Sequence, residues 1–191
     1  MSVSSQLSFH PLTPGLWADF ERLFGPRGAC GGCWCTFWKL RGKAFDENTG
    51  EPARQMQKSI VESGTIPGLL AFRGDEPVGW IAVEPRSSYE RLAHSRILKP
   101  VDEAEVWSVT CFFVAKQARR QGLTVELLKA AVEYVRGQGG KIVEGYPVDA
   151  DKEMPAAFIY HGTAAAFGKA GFVEVARRSD TRPIMRYSIG D

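Results

Sequence analysis

The spacing of apolar residues changes several times along the chain, and each change marks an element. Leu7 to Pro11 is a short strand candidate, and Thr13-Pro14 behind it is a helix start, because threonine can cap free amides and proline fits a first turn. Leu16, Trp17, Phe20, Leu23 and Phe24 then recur at helical spacing until Gly25 stops the run. No period holds from Gly25 to Gly50, a stretch rich in Gly, Cys and Trp, and loops of that length inside a compact domain are usually functional. Pro52 opens a second helix with Met56, Ile60 and Val61 on one face and Gly64 at its end.

Gly68 to Phe72 and Val78 to Val83 flank the turn sequence Arg73-Gly74-Asp75-Glu76-Pro77, which predicts an antiparallel hairpin. Arg86 to Glu103 reads as irregular. Val106 to Val114 is apolar at nearly every residue, as expected of a central strand covered on both faces. The clearest helix runs from Leu123 to Arg136: Leu123, Leu127, Leu128, Ala131, Val132 and Val135 form one stripe, with Glu126, Lys129, Glu133 and Arg136 opposite. After Gly139-Gly140 the strand Lys141 to Tyr146 completes a strand-helix-strand unit and implies a parallel pair. A short helix from Ala164 to Ala170 ends at Gly171, and Phe172 to Val175 with Ile184 to Tyr187 predict a final hairpin. The order amounts to a mixed α/β domain around one sheet, with no repeat and no linker to divide residues 1–191.

Composition narrows the partners. The 24 Lys and Arg nearly balance the 22 Asp and Glu, so no global field draws the molecule to nucleic acid or to an anionic membrane, and any anion must be gripped locally. Met1 to Pro11 lacks the basic start and apolar run of an export signal, and no segment has the roughly 20 apolar residues that span a bilayer, so a cytoplasmic protein is expected. Of the four cysteines, Cys30, Cys33 and Cys35 share one loop and Cys111 lies in the central strand, which predicts free thiols rather than a disulfide framework.

The segment with the most specific chemistry is Ala118-Arg119-Arg120-Gln121-Gly122-Leu123-Thr124, between the central strand and the clearest helix. A helix that starts directly after a strand exposes unpaired amides, and its dipole favours negative charge there. Gly122 lets backbone approach a ligand, and Arg119 and Arg120 add positive charge suited to phosphate oxygens. The plainer alternative is a solvated connection with a helix cap. Neither the dinucleotide-binding nor the P-loop glycine pattern occurs.

In this segment the chain resembles the GNAT acetyltransferases, which bind the pyrophosphate of coenzyme A with Arg or Gln, two free positions, Gly, one free position, then Gly or Ala. Here Arg119 and Gly122 match and Thr124 stands at the last position; Val114 lies five residues before Arg119, as the last strand valine of that family does. The resemblance extends in order over Gly79-Trp80, the strands Val106 to Val114 and Lys141 to Tyr146, and the block Phe167 to Phe172. It implies a central, mostly antiparallel mixed sheet with one splayed parallel pair and helices on both faces. It also implies acetyl-CoA as cosubstrate, held by Phe112, Phe113 and Val114 along the strand and by Arg119, Arg120, Gln121, Gly122, Leu123 and Thr124, and transfer to a small-molecule or protein amine by a monomer or homodimer. A non-catalytic acyl-CoA sensor of the same fold is the alternative.

The resemblance does not fill the catalytic roles. The place of the family's occasional glutamate base falls on Ser108, leaving Glu105 and Glu144 as candidates through a bridging water. The place of its usual tyrosine acid falls on Phe167, leaving Tyr160 as substitute, with Tyr146 a second choice; His161 beside Tyr160 could relay protons. In the superfamily the long loop commonly borders the acceptor, so Cys33, Trp34, Cys35 and Trp38 are expected to line that pocket, as aromatic walls with small polar groups would. Simple packing of free thiols in the loop and a zinc site on Cys30, Cys33 and Cys35 are the competing readings; the zinc site lacks a fourth ligand nearby, so no metal is assigned.

Overall fold

The computed structural model describes residues 6–149 and 160–190. Its strands are β1 (Leu7–Pro11), β2 (Gly68–Arg73), β3 (Glu76–Pro85), β4 (Trp107–Val114), β5 (Ile142–Gly145), β6 (Val173–Arg177) and β7 (Pro183–Ser188). They form one sheet in the order β1-β2-β3-β4-β5-β7-β6, in which only β4 and β5 pair in parallel. The helices are α1 (Trp17–Phe24), α2 (Gly42–Asp46), α3 (Glu51–Glu62), α4 (Glu90–Ala93), α5 (Leu123–Gly137) and α6 (Ala164–Lys169). No helix among the described residues is long and apolar enough to cross a membrane.

The elements follow the apolar periods closely, and the differences have local causes. Thr13 precedes the first turn but its side chain makes no capping bond, because Pro14 begins a 3₁₀ turn through Leu16 before α1. The stretch Gly25 to Gly50 contains α2, and the stretch Arg86 to Glu103 contains a 3₁₀ turn at Arg86–Ser88 and α4; each is too short to show a period. On α3 the buried stripe is Ala53, Gln57 and Val61, with Met56 and Ile60 only half-buried at its margin. The amphipathic stripe of α5 is buried as its spacing predicts, from Leu123 to Val135.

Apolar burial divides between the two faces of the sheet. On one, Val109 and Phe112 of β4 pack with Ile81, Val83, Val143 and Met185 beneath α5 and α6. On the other, Trp80, Leu70, Phe72 and Ala82 pack against α1 and Trp34. A third cluster of Trp38, Tyr89, Leu92, Leu98, Tyr146 and Ile184 covers the β5–β7 end of that second face.

A row of polar residues crosses the sheet inside this second face. Register places Glu84 beside Ser108, Ser108 beside Glu144, and Glu144 beside Arg186. Glu144 is fully buried and is held by Arg86 Nη1 at 3.0 Å, Arg186 Nε at 2.7 Å and the Tyr146 hydroxyl at 2.7 Å. Arg186 extends the network to Asp102 at 2.7 and 3.0 Å, Ser108 reaches the Tyr146 hydroxyl at 2.7 Å, and Lys39 pairs with Glu84. Buried charges persist only when paired in this way, because removing water from a lone carboxylate costs several kcal/mol.

Beyond this row β4 and β5 part. Their parallel pairing ends at Val109 and Gly145, where the Phe167 ring lies so close to Gly145 that an added Cβ would meet it at 2.1 Å. Phe167 is fully buried, with Phe172 at 5.0 Å and Phe112 at 6.0 Å between ring centres, so the place that resemblance gave to an acid is an apolar wedge. Between Val109 and Cys111 the pairing with β3 slips by one, leaving Thr110 as the extra residue of a bulge that reverses the alternation of β4.

Because Glu144 balances two guanidinium groups, Glu144→Gln should lower unfolding stability by about 3–5 kcal/mol. Glu105→Gln, in the exposed approach to β4, should shift it by less than about 0.5 kcal/mol. Urea unfolding of both variants checks the contrast.

Candidate functional site

The turn from β4 into α5 is built around backbone donors. Arg120 and Gly122 both adopt left-handed conformations, φ 62° and 78°, and for a bulky residue such as Arg120 this costs roughly 1–2 kcal/mol. Gly122 is the N-cap of α5 and no side chain caps the helix, so the first-turn amides of Leu123 and Thr124 keep the exposed positive end of a 15-residue helix. Arg119 and Arg120 are exposed beside them; Arg119 Nε donates to the Val114 carbonyl at 3.0 Å, which lays the guanidinium along the end of β4. Gln121 is turned away: Arg73 donates to its Oε1 at 2.8 Å, and its Nε2 donates to the Gln117 carbonyl at 2.8 Å. It braces the turn instead of facing it. The side chain of Leu123 is core, so only its amide is available. A backbone nest beside two arginines fits an anion such as a diphosphate.

Where β4 leaves β5, the gap is closed from the α6 side. The Phe112 amide donates to the Tyr160 carbonyl at 2.6 Å, and Val148 donates to the Gly162 carbonyl at 2.9 Å. The side chain of Phe112 belongs to the α5 face and that of Phe113 to the opposite face, at 5.2 Å from Phe24.

The proposed acid and bases separate sharply in this geometry. Glu144 is locked between Arg86 and Arg186 and has no solvent access, which removes it as a proton acceptor for a bound molecule. Glu105 lies at the other end of β4, seven residues before Phe112, a distance of roughly 20 Å along a strand. Ser108 and Tyr146 are consumed by the Glu144 network; burial, then the neighbouring Glu144, keeps the Tyr146 phenol protonated. Glu84, which the apolar pattern of β3 hid, is a third carboxylate in this region and is held by Lys39.

Tyr160 is half-buried at the gap between the strands, with its phenol pushed up to about 12, by burial first and then by the nearby Cys111. His161 follows it, buried, with Nδ1 3.4 Å from the Thr110 carbonyl and its ring 5.5 Å from Trp38. A carbonyl only accepts, so Nδ1 carries the hydrogen and Nε2 keeps the lone pair. Burial, with Arg182 nearby, lowers its pKa to about 3, so the ring is neutral at ordinary pH.

The cysteine loop is more ordered than its composition suggests. Gly28, Ala29, Gly31, Gly32, Trp34 and Cys35 all have positive φ, and Trp34 is drawn into the core, stacked on Phe24 at 5.8 Å and tight against Gly28. Trp34 therefore does not line the inner chamber. Cys33, Cys35 and Trp38 do, together with Cys30, Cys111, Phe113 and Tyr160, around an apolar cavity of about 210 Å³. The Trp80 indole donates to Cys35 Sγ at 3.2 Å; a hydrogen bond shared with Cys35, and then burial, push the Cys111 thiol well up. All four cysteines are free thiols. No group of three or more His, Cys, Asp or Glu side chains among the described residues could hold a metal ion.

Phe37, Trp38 and Tyr160 are shared with an outer cavity of about 480 Å³, which opens between α4 and the start of β7. The sequence reading missed this chamber, because its walls come from residues more than a hundred positions apart, such as Arg41 and Arg182.

His161 provides a test of this burial. Its folded pKa lies below the unfolded value, so from pH 6.5 down towards 3 the unfolded chain binds a proton that the folded one refuses, and stability falls. His161→Asn should flatten the acid side of the stability profile by up to about 1.4 kcal/mol per pH unit relative to wild type, measured by urea unfolding between pH 7 and 4.

Comparison with known proteins agrees with this geometry. The description of the acetyltransferase (GNAT) family matches residues 34–161, and no curated protein matches the chain. Among solved structures, a GNAT-family acetyltransferase from Streptococcus agalactiae is 14% identical with TM-score 0.58, covering 97% of this chain and 96% of its own. A putative GNAT-family acetyltransferase from Desulfovibrio desulfuricans is 19% identical with TM-score 0.55, covering 96% and 99%. NAA60 of Arabidopsis thaliana, solved in complex with acetyl-CoA, is 16% identical with TM-score 0.54, covering 96% and 100%. These likenesses show a shared fold, and with the family match spanning most of its length the chain belongs to the acetyltransferase (GNAT) family.

Proposed function

We propose that the protein transfers an acetyl group from acetyl-CoA to an amine. The observation that carries this reading is the uncapped N-terminus of α5, presented with Arg119 and Arg120 at the end of β4, where that strand has parted from β5. Acetyl-CoA, which a structural neighbour of the same fold binds, would supply an activated thioester. Arg119, Arg120 and the amides of Gly122, Leu123 and Thr124 would hold its diphosphate. Phe112, Phe113 and Val114 would border its arm, and the Phe112 amide, now satisfied by the Tyr160 carbonyl, can exchange that acceptor for another. Such a donor aimed at developing negative charge is worth about 3–4 kcal/mol of barrier.

The inner chamber governs how the protons move. With Glu105 remote and Glu144 locked, no carboxylate among the described residues stands ready as base, and the apolar chamber itself favours the neutral form of an amine that enters it, since burial disfavours an ammonium. His161, with its pKa lowered to about 3 and its ring on the outer chamber, is too weak a base to serve here, so the proton that the amine loses as bonding proceeds passes to water. Tyr160, neutral up to about pH 12, is the hydroxyl that can return one to a leaving thiolate. Cys33, Cys35 and Trp38 wall the chamber around the acceptor amine.

Arg119→Ala should weaken acetyl-CoA binding about tenfold or more, read by calorimetry, while its exposed position leaves the unfolding midpoint in place. Tyr160→Phe should lower thiol release at saturating cosubstrate by about 100-fold without changing that affinity. If wild type shows no heat with acetyl-CoA, the reading fails. Heat without thiol release on any amine would make the protein a sensor of acyl-CoA instead.

A further inference from the structure

The outer chamber has a chemistry of its own. Arg41, Arg91 and Arg182 contribute to its walls, with His94, Ser95 and His161, and among the described residues no Asp or Glu does so. Among the described residues, none of the three arginines forms an ion pair, whereas Arg54, Arg86, Arg177 and Arg186 all pair with carboxylates. Two of the three are held in place by neutral groups. Arg91 Nε donates to the Phe37 and Leu40 carbonyls at 2.8 and 3.0 Å, and its guanidinium lies 3.9 Å from the centre of the Phe37 ring, so the fork is fixed with its two terminal nitrogens uncommitted by any bond of Nε. Arg182 donates one Nη to the Tyr146 carbonyl at 3.1 Å, while its Nε is buried without a partner.

A half-buried guanidinium without a counter-charge is costly, and burial pulls the Arg182 pKa down. An anion in the chamber would offset that cost, and a planar carboxylate matches the fork geometry of arginine. The buried Trp38 indole N–H, also without a partner, belongs to the wall between the two chambers. The volume, about 480 Å³, suits a small molecule.

We infer that the acceptor is a small amine carrying a carboxylate, an amino acid in the broad sense, whose anion rests on Arg182 and Arg91 in the outer chamber while its amine reaches past Phe37 and Tyr160 into the inner one. This rests on the acetyl-transfer reading and adds the substrate class. The two chambers divide the selection: the apolar one accepts only an uncharged nitrogen, and the basic one retains the molecule by its negative end.

The test uses the full-length protein and pairs of probes that differ only in the anion: L-amino acids and their carboxamides, followed by thiol release. The acids should exceed the amides at least about tenfold in kcat/KM. Arg182→Met should remove that preference through KM, Arg182→Lys should retain part of it, and acetyl-CoA affinity should be unchanged in both. Equal rates for acids and amides in wild type, or an unaltered ratio in Arg182→Met, overturn the inference while leaving acetyl transfer intact. Binding provides a readout that needs no turnover, by calorimetric titration of the coenzyme A complex with N-acetyl-L-amino acids and their amides. Heat from the acids alone, lost in Arg182→Met, supports the anion site; equal heats, or none from any acid, sink it. Should Arg182→Met fail to fold, Arg91→Lys in the same titration weakens the acids selectively or the assignment is wrong.

Discussion

The buried carboxylate of Glu144 is the constraint on which the arrangement of this sheet turns. It sits without solvent on β5 with an arginine on each side, Arg86 from the end of β3 and Arg186 from β7. A charge so placed cannot be left half-satisfied, because the cost of removing it from water is recovered only when all its partners are in position. Satisfying it ties β5 to β7 and closes the Arg86 segment over the sheet, and through Asp102 it anchors the approach to β4. The strands can be parallel neighbours as far as Val109 and Gly145 because this network holds them there.

Past that point the fold opens, and the same residues explain why. The bulge at Thr110 turns β4 by one residue, while Phe167 fills the space that a side chain at position 145 would need. The opening is lined on one side by the backbone of β4 and on the other by Tyr160 and His161, ahead of α6. Rigid strands thus bring together a helix N-terminus able to receive phosphate, a backbone amide that can change partners, and a phenol that stays protonated. The proposed acetyl transfer would use the place where the sheet stops pairing, since there backbone donors are released from the strand ladder.

Charge is distributed with comparable economy. The carboxylates of the polar row are cancelled inside the sheet by Lys39, Arg86 and Arg186, so the surplus guanidinium groups of Arg41, Arg91 and Arg182 stand out in the outer chamber. The aromatic loop contributes to both sides of this division. Trp34 is spent on the core between α1 and β3, and Trp38, four residues on, forms the partition between the apolar and basic chambers.

What could be read from the sequence alone was whatever depends on local spacing. The stripe from Leu123 to Val135, the covered strand from Val106 to Val114, the hairpins, and the Arg119–Gly122 spacing ahead of a helix all follow from periodicity and backbone rules that act over a few residues. Pairing across the sheet obeys no such rule, so only the tertiary structure decided that β7 lies between β5 and β6. It also decided that Glu144 is a clamp instead of a base, that Trp34 faces the core, and that Arg182 meets Arg91 at one cavity. The role of a charged or aromatic side chain is set by what removes its water and what compensates it, and those partners here lie tens of residues away, invisible to any window along the chain.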